Sequence, residues 1–193
     1  MKHRVLGLLL AFSLLGLSAC HSERPQFKSV DITGADYASQ LDLPDASGQM
    51  RHLSDFKGKV VAVFFGYTQC PDVCPTTLAE LAEVKHALGA AGSRLQVLFV
   101  SLDPERDTPD VLKAYVTSFD PRFLGLSGTP EQIKQAANSF KAFYAKSAVA
   151  NGTYSMDHTA SFYLIDPKGE SRVLLNNNAG AKAIVHDVGL VLR

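Results

Sequence analysis

A continuous apolar, β-branched and aromatic run, Val60-Val61-Ala62-Val63-Phe64-Phe65, most narrows what this chain can fold into. Such a run without polar alternation reads as a strand covered on both faces, the pattern of a central parallel strand. It leads into Gly66-Tyr67-Thr68-Gln69-Cys70-Pro71-Asp72-Val73-Cys74-Pro75, which sets two cysteines four apart where the strand gives way to a helix. From Thr77 to about Leu88 the positions Leu78, Leu81, Val84 and Leu88 recur at helical spacing, and Thr77 with Glu80 reads as a capping box.

The same alternation continues. Leu95 to Leu102 is a second buried strand, and Thr108-Pro109 provides an N-cap and first-turn proline for a helix reaching about Phe119. Phe123 to Leu126 is a short strand; Thr129-Pro130-Glu131-Gln132 opens another helix, again with a capping box. Ser161 to Ile165 and Ser171 to Leu175 flank the turn Asp166-Pro167-Lys168-Gly169 as a hairpin, and Ala179 to Leu192 closes the chain as a helix. Upstream, Leu41–Leu43 and Met50–Leu53 read as two short strands around a turn. The order predicts an α/β domain with a thioredoxin-like mixed sheet flanked by helices and an extra N-terminal β-hairpin.

The first residues carry an address. Met1-Lys2-His3-Arg4 is followed by an apolar or small stretch from Val5 to Leu17, too short for a bilayer span, and then by Ser18-Ala19-Cys20. Residues 1–19 read as a signal peptide, and Leu17-Ser18-Ala19-Cys20 resembles a lipobox in which Cys20 carries the lipid anchor. Residues 20–36 read as a polar tether and 37–193 as one domain, exported and held at the extracytoplasmic face of a bacterial membrane. With 19 basic and 19 acidic side chains, no net field attracts nucleic acid, which is set aside as a partner.

Cys70 and Cys74 are then the two thiols left in an oxidising compartment. A pair closing so small a loop adds little as a staple, because the stabilisation grows with loop length. The pair is therefore read as redox-active or metal-binding. Helical spacing lets both sulfurs face one external atom or each other, and the positive helix start favours thiolate. His52, His86 and His186 read as solvated or capping histidines, and Met156 as apolar filler. His158, in Tyr154-Ser155-Met156-Asp157-His158-Thr159-Ala160, reads alone as a loop histidine. Asp72, Asp103 and Asp107 are turn formers and caps that stand near enough to orient a ligand from outside the ligand set.

Three motifs, GYTQCPDVCPTTL, SLDPERDTP and MDHTASFYLID, occur in order and resemble the Sco/SenC family of copper-binding assembly proteins. The resemblance covers residues 37–192. It implies a thioredoxin-like fold with an extra amino-terminal hairpin, and copper held by Cys70, Cys74 and His158. It further implies a membrane-tethered copper chaperone for the binuclear copper centre of a respiratory haem-copper oxidase. Its partners would be the copper-receiving subunit and an upstream copper donor or thiol reductant. Two thiolates satisfy Cu(I), and an imidazole makes Cu(II) tolerable; zinc is the competing metal for such a set. The other functional classes are a thiol-disulfide oxidoreductase using the cysteine pair without obligatory copper and a peroxidase of the same fold.

Overall fold

The structure is a computed structural model that describes residues 25–149 and 153–193. The expected signal peptide 1–19, Cys20 and the first residues of the tether lie outside the described residues. Within them the elements are β1 (Val30–Asp31), β2 (Asp42–Pro44), β3 (Met50–His52), β4 (Val60–Gly66), α1 (Val73–Ala87), β5 (Leu95–Ser101) and α2 (Pro109–Thr117). They continue as β6 (Leu124–Leu126), α3 (Pro130–Ser139), β7 (Tyr144–Ala148), β8 (Tyr154–His158), β9 (Phe162–Ile165), β10 (Ser171–Leu175) and α4 (Ala181–Val191).

Six strands form one mixed sheet in the order β1-β10-β9-β4-β5-β6. β4 pairs parallel with β5 and antiparallel with β9, so it lies inside the sheet as its unbroken apolar run requires. Its alternate residues point to opposite faces. Val61, Val63 and Phe65 join a core with Ile133 and Ala137 of α3 and with Leu41 and Leu43 of the β2 region. Val60, Ala62 and Phe64 join a second core with Leu78 and Leu81 of α1, Leu112 of α2 and Ile184 of α4. A fully buried Val, Leu or Phe contributes roughly 1.5–3 kcal/mol and an exposed ion pair about 0–1, so these two layers, rather than surface charges, hold the fold.

The helix after the cysteines begins earlier than its apolar period indicates. It starts at Val73 with Asp72 as N-cap, and Pro75 sits in the first turn, where a missing N–H costs no helical bond. The expected capping box of Thr77 and Glu80 is absent: Thr77 lies inside α1, and its Oγ1 is buried without a hydrogen-bond partner among the described residues. Glu80 instead accepts the backbone N–H of Ala181 at the start of α4. The boxes and caps at Thr108 and Thr129 form as read.

Two further differences concern strands. The segment before Tyr37, read as tether, enters the sheet: Val30 and Asp31 pair with Leu174 and Val173. The anchor is the fully buried Asp187 of α4, whose carboxylate accepts the backbone N–H groups of Lys28 at 2.7 Å and Ser29 at 3.0 Å. His186 lies beside it, Nδ1 2.9 Å from Asp187 Oδ1. The second difference is the β7–β8 hairpin, a separate two-stranded sheet whose register sets Tyr144 opposite His158. His158 therefore ends a strand instead of standing in a loop.

Asp187→Ala should release β1, since the carboxylate is its side-chain anchor to α4. Loss of two hydrogen bonds to a carboxylate, at about 1.5–3 kcal/mol each, should lower stability by about 3–6 kcal/mol in urea titration. Faster amide exchange should be confined to residues near Val30; exchange spread evenly over the sheet would refute the local anchor.

Candidate metal centre

The end of β4 and the first turn of α1 form one rigid junction, and both sulfurs sit on it. Cys74 is fully buried in the core beneath α1, and Cys70 is partly exposed on the loop. Both are free thiols. A β-carbon on Gly66 would lie 2.6 Å from Cys74 Sγ and 2.8 Å from Phe99 Cε2. Only a residue without a side chain leaves room for that sulfur, so Gly66 is a determinant of the site that periodicity does not single out.

His158 arrives from the other side. Its Nε2 lies 3.6 Å from Cys74 Sγ, and its Nδ1 is 3.0 Å from the Thr159 carbonyl. With Nδ1–H donating to that carbonyl, Nε2 is the nitrogen turned toward the sulfurs. Two rings hold the imidazole on edge: Phe64 at 6.3 Å and Tyr67 at 5.9 Å between centroids. One donor atom from each of Cys70, Cys74 and His158 lies within 4.8 Å of the other two. The histidine that looked ordinary in sequence is thus brought to the dithiol.

The two thiols differ electrostatically. The Cys70 thiol is pulled down to about 3, chiefly because its sulfur accepts a hydrogen bond from Cys74, with further donation from His158 and the N–H groups of Cys74 and Asp72. Cys74 is pushed up by the same bond, by burial, and by the charges of Cys70 and Asp107. Burial works against the His158 cation, but bonding to the Cys70 sulfur and the Thr159 carbonyl raises its pKa on balance. The metal-free pair is therefore a thiolate beside a thiol, with an imidazole at hand. Two sulfurs and one borderline nitrogen suit a thiophilic ion.

The acids singled out in sequence are distributed differently. Asp107 is buried and accepts from Thr68 N at 3.0 Å, Thr68 Oγ1 at 2.6 Å and Ser101 Oγ at 2.6 Å, latching the dithiol loop to the end of β5. Asp103, also buried, pairs with Arg106 Nε and accepts from Tyr154 Oη at 2.8 Å, tying the loop after β5 to β8. Asp72 is exposed; its carboxylate reaches only as far as Thr76 Oγ1 at 3.4 Å, while its backbone N–H serves Cys70. It shares with Pro71, Val73, Met156, Asp157 and Ala160 a shallow depression of about 240 Å³ over Cys70 and His158. Met156 is buried in the core as filler. His52 pairs with Asp42 on the first hairpin at 2.5 Å, and His86 is exposed; neither approaches the centre.

These features define a thioredoxin-like dithiol protein whose cysteine pair is completed by an imidazole. The SCO1/SenC family model matches residues 30–193, and the chain belongs to that family. A SCO2-like protein of Rickettsia felis is 34% identical over 185 residues, covering 88% of this chain and 89% of its own length. The copper-bound structure of ScoI from Bradyrhizobium japonicum is 40% identical with a TM-score of 0.71, covering 78% of this chain and 96% of that one. The apo Sco1 structure from Thermus thermophilus is 38% identical with a TM-score of 0.77, covering 87% and 98%.

The thiol asymmetry predicts selective chemistry. Iodoacetamide at about pH 5 should modify Cys70 and leave Cys74 untouched, a distinction readable by peptide mass. The Cys70 thiol titrates lower in the folded chain than in the unfolded one, so its thiolate favours folding above the unfolded thiol range. That contribution is lost as pH falls through about 3. Equal labelling of both cysteines would contradict the arrangement. Gly66→Ala should displace the Cys74 sulfur or Phe99 and weaken metal uptake while the helices remain, as circular dichroism beside a binding titration would show.

Proposed function

We propose that this protein is a membrane-tethered copper chaperone that carries copper to the binuclear centre of a respiratory haem-copper oxidase. The observation that carries the reading is the convergence of Cys70, Cys74 and His158 donors within 4.8 Å at one partly exposed edge. The donor set fits: Cu(I) is satisfied by two thiolates and Cu(II) is tolerated once the imidazole is added. The copper-bound ScoI of Bradyrhizobium japonicum supports copper over zinc as cargo.

The chain's own residues supply the handling. Cys74 retains its proton until the metal arrives and holds its ligand position from inside the core. Cys70 is already thiolate and faces the open depression, so exchange with a partner's thiolates begins there. Disulfide formation between Cys70 and Cys74 releases two electrons and two sulfur ligands together, so an upstream thiol reductant is required before loading. The lipobox-like end of the signal peptide at Cys20 supports anchoring at the extracytoplasmic membrane face, with the residues up to β1 as the tether.

A second reading has an observation of its own. A partly exposed low-pKa Cys70 backed by a buried Cys74 is the arrangement of an attacking and a resolving thiol, which favours a thiol-disulfide oxidoreductase. The two separate cleanly by metal analysis. The reduced domain should take up one copper per chain, and Cys70→Ser or Cys74→Ser should abolish uptake. His158→Ala should weaken Cu(II) by more than the roughly 10–100-fold that loss of a supporting residue costs. A reduced wild type that binds no copper yet reduces a protein disulfide at its wild-type rate without His158 would establish the reductase instead.

A further inference from the structure

We propose that Arg106 is the positioning residue that fixes His158 against the two cysteines, and that it thereby decides whether the centre retains Cu(II) as well as Cu(I). The inference rests on copper as the cargo and adds a residue outside the ligand set.

The need for such a device follows from the topology. The two sulfurs are built into the junction of β4 and α1, inside the main sheet, whereas the imidazole ends β8 of a separate two-stranded sheet. Metal–ligand distances tolerate about 0.2 Å, so two bodies carrying one ligand set must be locked together. Arg106 lies on the loop between β5 and α2 and touches both. Its Nη1 donates to the carbonyl of Tyr154 on β8 at 2.9 Å and to Oε1 of Gln69, next to Cys70, at 3.2 Å. Its Nε pairs with the buried Asp103, whose other oxygen accepts from Tyr154 Oη at 2.8 Å.

Stacking completes the grip. The guanidinium lies 3.8 Å from the centroid of the Tyr154 ring and 5.6 Å from that of Tyr67. Tyr67 in turn stands at 88° to the His158 ring. One planar cation therefore bonds the strand four residues before the ligand and backs the ring that borders the ligand itself. A lysine at this position keeps the charge but has neither the fork nor the plane. Cu(I), satisfied by the sulfurs, is indifferent to a displaced imidazole; Cu(II), which depends on the nitrogen, is not.

The test compares reduced wild type, Arg106→Gln and Arg106→Lys, with Arg122→Gln as an exposed control at the far end of the sheet. Copper(I) uptake at one per chain should be unchanged in all four, while Cu(II) release should quicken at least about tenfold in both Arg106 variants. In a His158→Ala background the same Arg106 change should cost nothing further, because a residue acting through His158 has nothing left to position. In the metal-free protein, amide exchange at Met156 and Thr159 should rise in the Arg106 variants while that of β4 stays put. Equal loss of Cu(I) and Cu(II), additivity with His158→Ala, or unaltered Cu(II) release would overturn the proposal. If no variant, wild type included, binds copper, the cargo reading fails instead, and unchanged exchange in β8 then refutes the clamp.

Discussion

The sulfur of Cys74 occupies space that a β-carbon on Gly66 would take, and the centre is organised around that burial. A side chain committed to the core cannot follow a ligand or a partner, so its position is set by the packing of β4, α1 and Phe99. The other sulfur, four residues earlier, is placed by the same helix start but left at the surface. One junction thus yields a fixed sulfur and an accessible one. Their unequal proton affinities follow from that difference, because the buried thiol keeps its proton and donates to the exposed sulfur.

Asp107 extends this frame outward. A carboxylate buried without a cationic partner among the described residues is tolerable only when hydrogen bonds satisfy it, and Thr68 and Ser101 provide three. The dithiol loop is therefore pinned at both ends, by the strand it leaves and the helix it enters, and in the middle by this acid. Asp107 adds negative charge that holds the Cys74 proton more tightly, while its neighbour Asp103 addresses β8 through Arg106 and Tyr154. Two acids that looked alike in the loop Asp103-Pro104-Glu105-Arg106-Asp107 support different ligands.

What was legible in the sequence was whatever rests on long periodic runs and local caps. β4, β5 and α3 follow from unbroken apolar stretches and from Thr129-Pro130, and the dithiol is placed by them. The segments that eluded this reading are short and decided by distant partners. β1 is two residues long and exists because Asp187, in the last helix, holds the backbone before it. β7 and β8, reading YAKSA and YSMDH, bury little and pair with one another rather than with the main sheet. α1 starts four residues before its first expected cap because a proline in the first turn is compatible with a helix, so Asp72 takes the N-cap position. Gly66, Tyr67 and Arg106 lie inside the quoted motifs, but no period or spacing gives them a part; their parts emerge only when the hairpin is set beside the loop.

The division of the ligand set between two bodies also separates two controls. The redox state of the cysteine pair acts on both sulfurs at once and leaves a lone imidazole, which holds copper poorly; loading is then all or none. The seating of the hairpin acts on the imidazole alone and leaves the dithiolate intact; it grades preference between oxidation states without emptying the centre. A single rigid loop bearing all three ligands would couple these responses. Placing His158 on its own pair of strands, bound to the sheet through aromatic edges, the Asp103–Tyr154 hydrogen bond and the Arg106 guanidinium, keeps them independent. It also puts the partly exposed sulfur of Cys70 and the imidazole on the same open side, with the buried sulfur of Cys74 behind both.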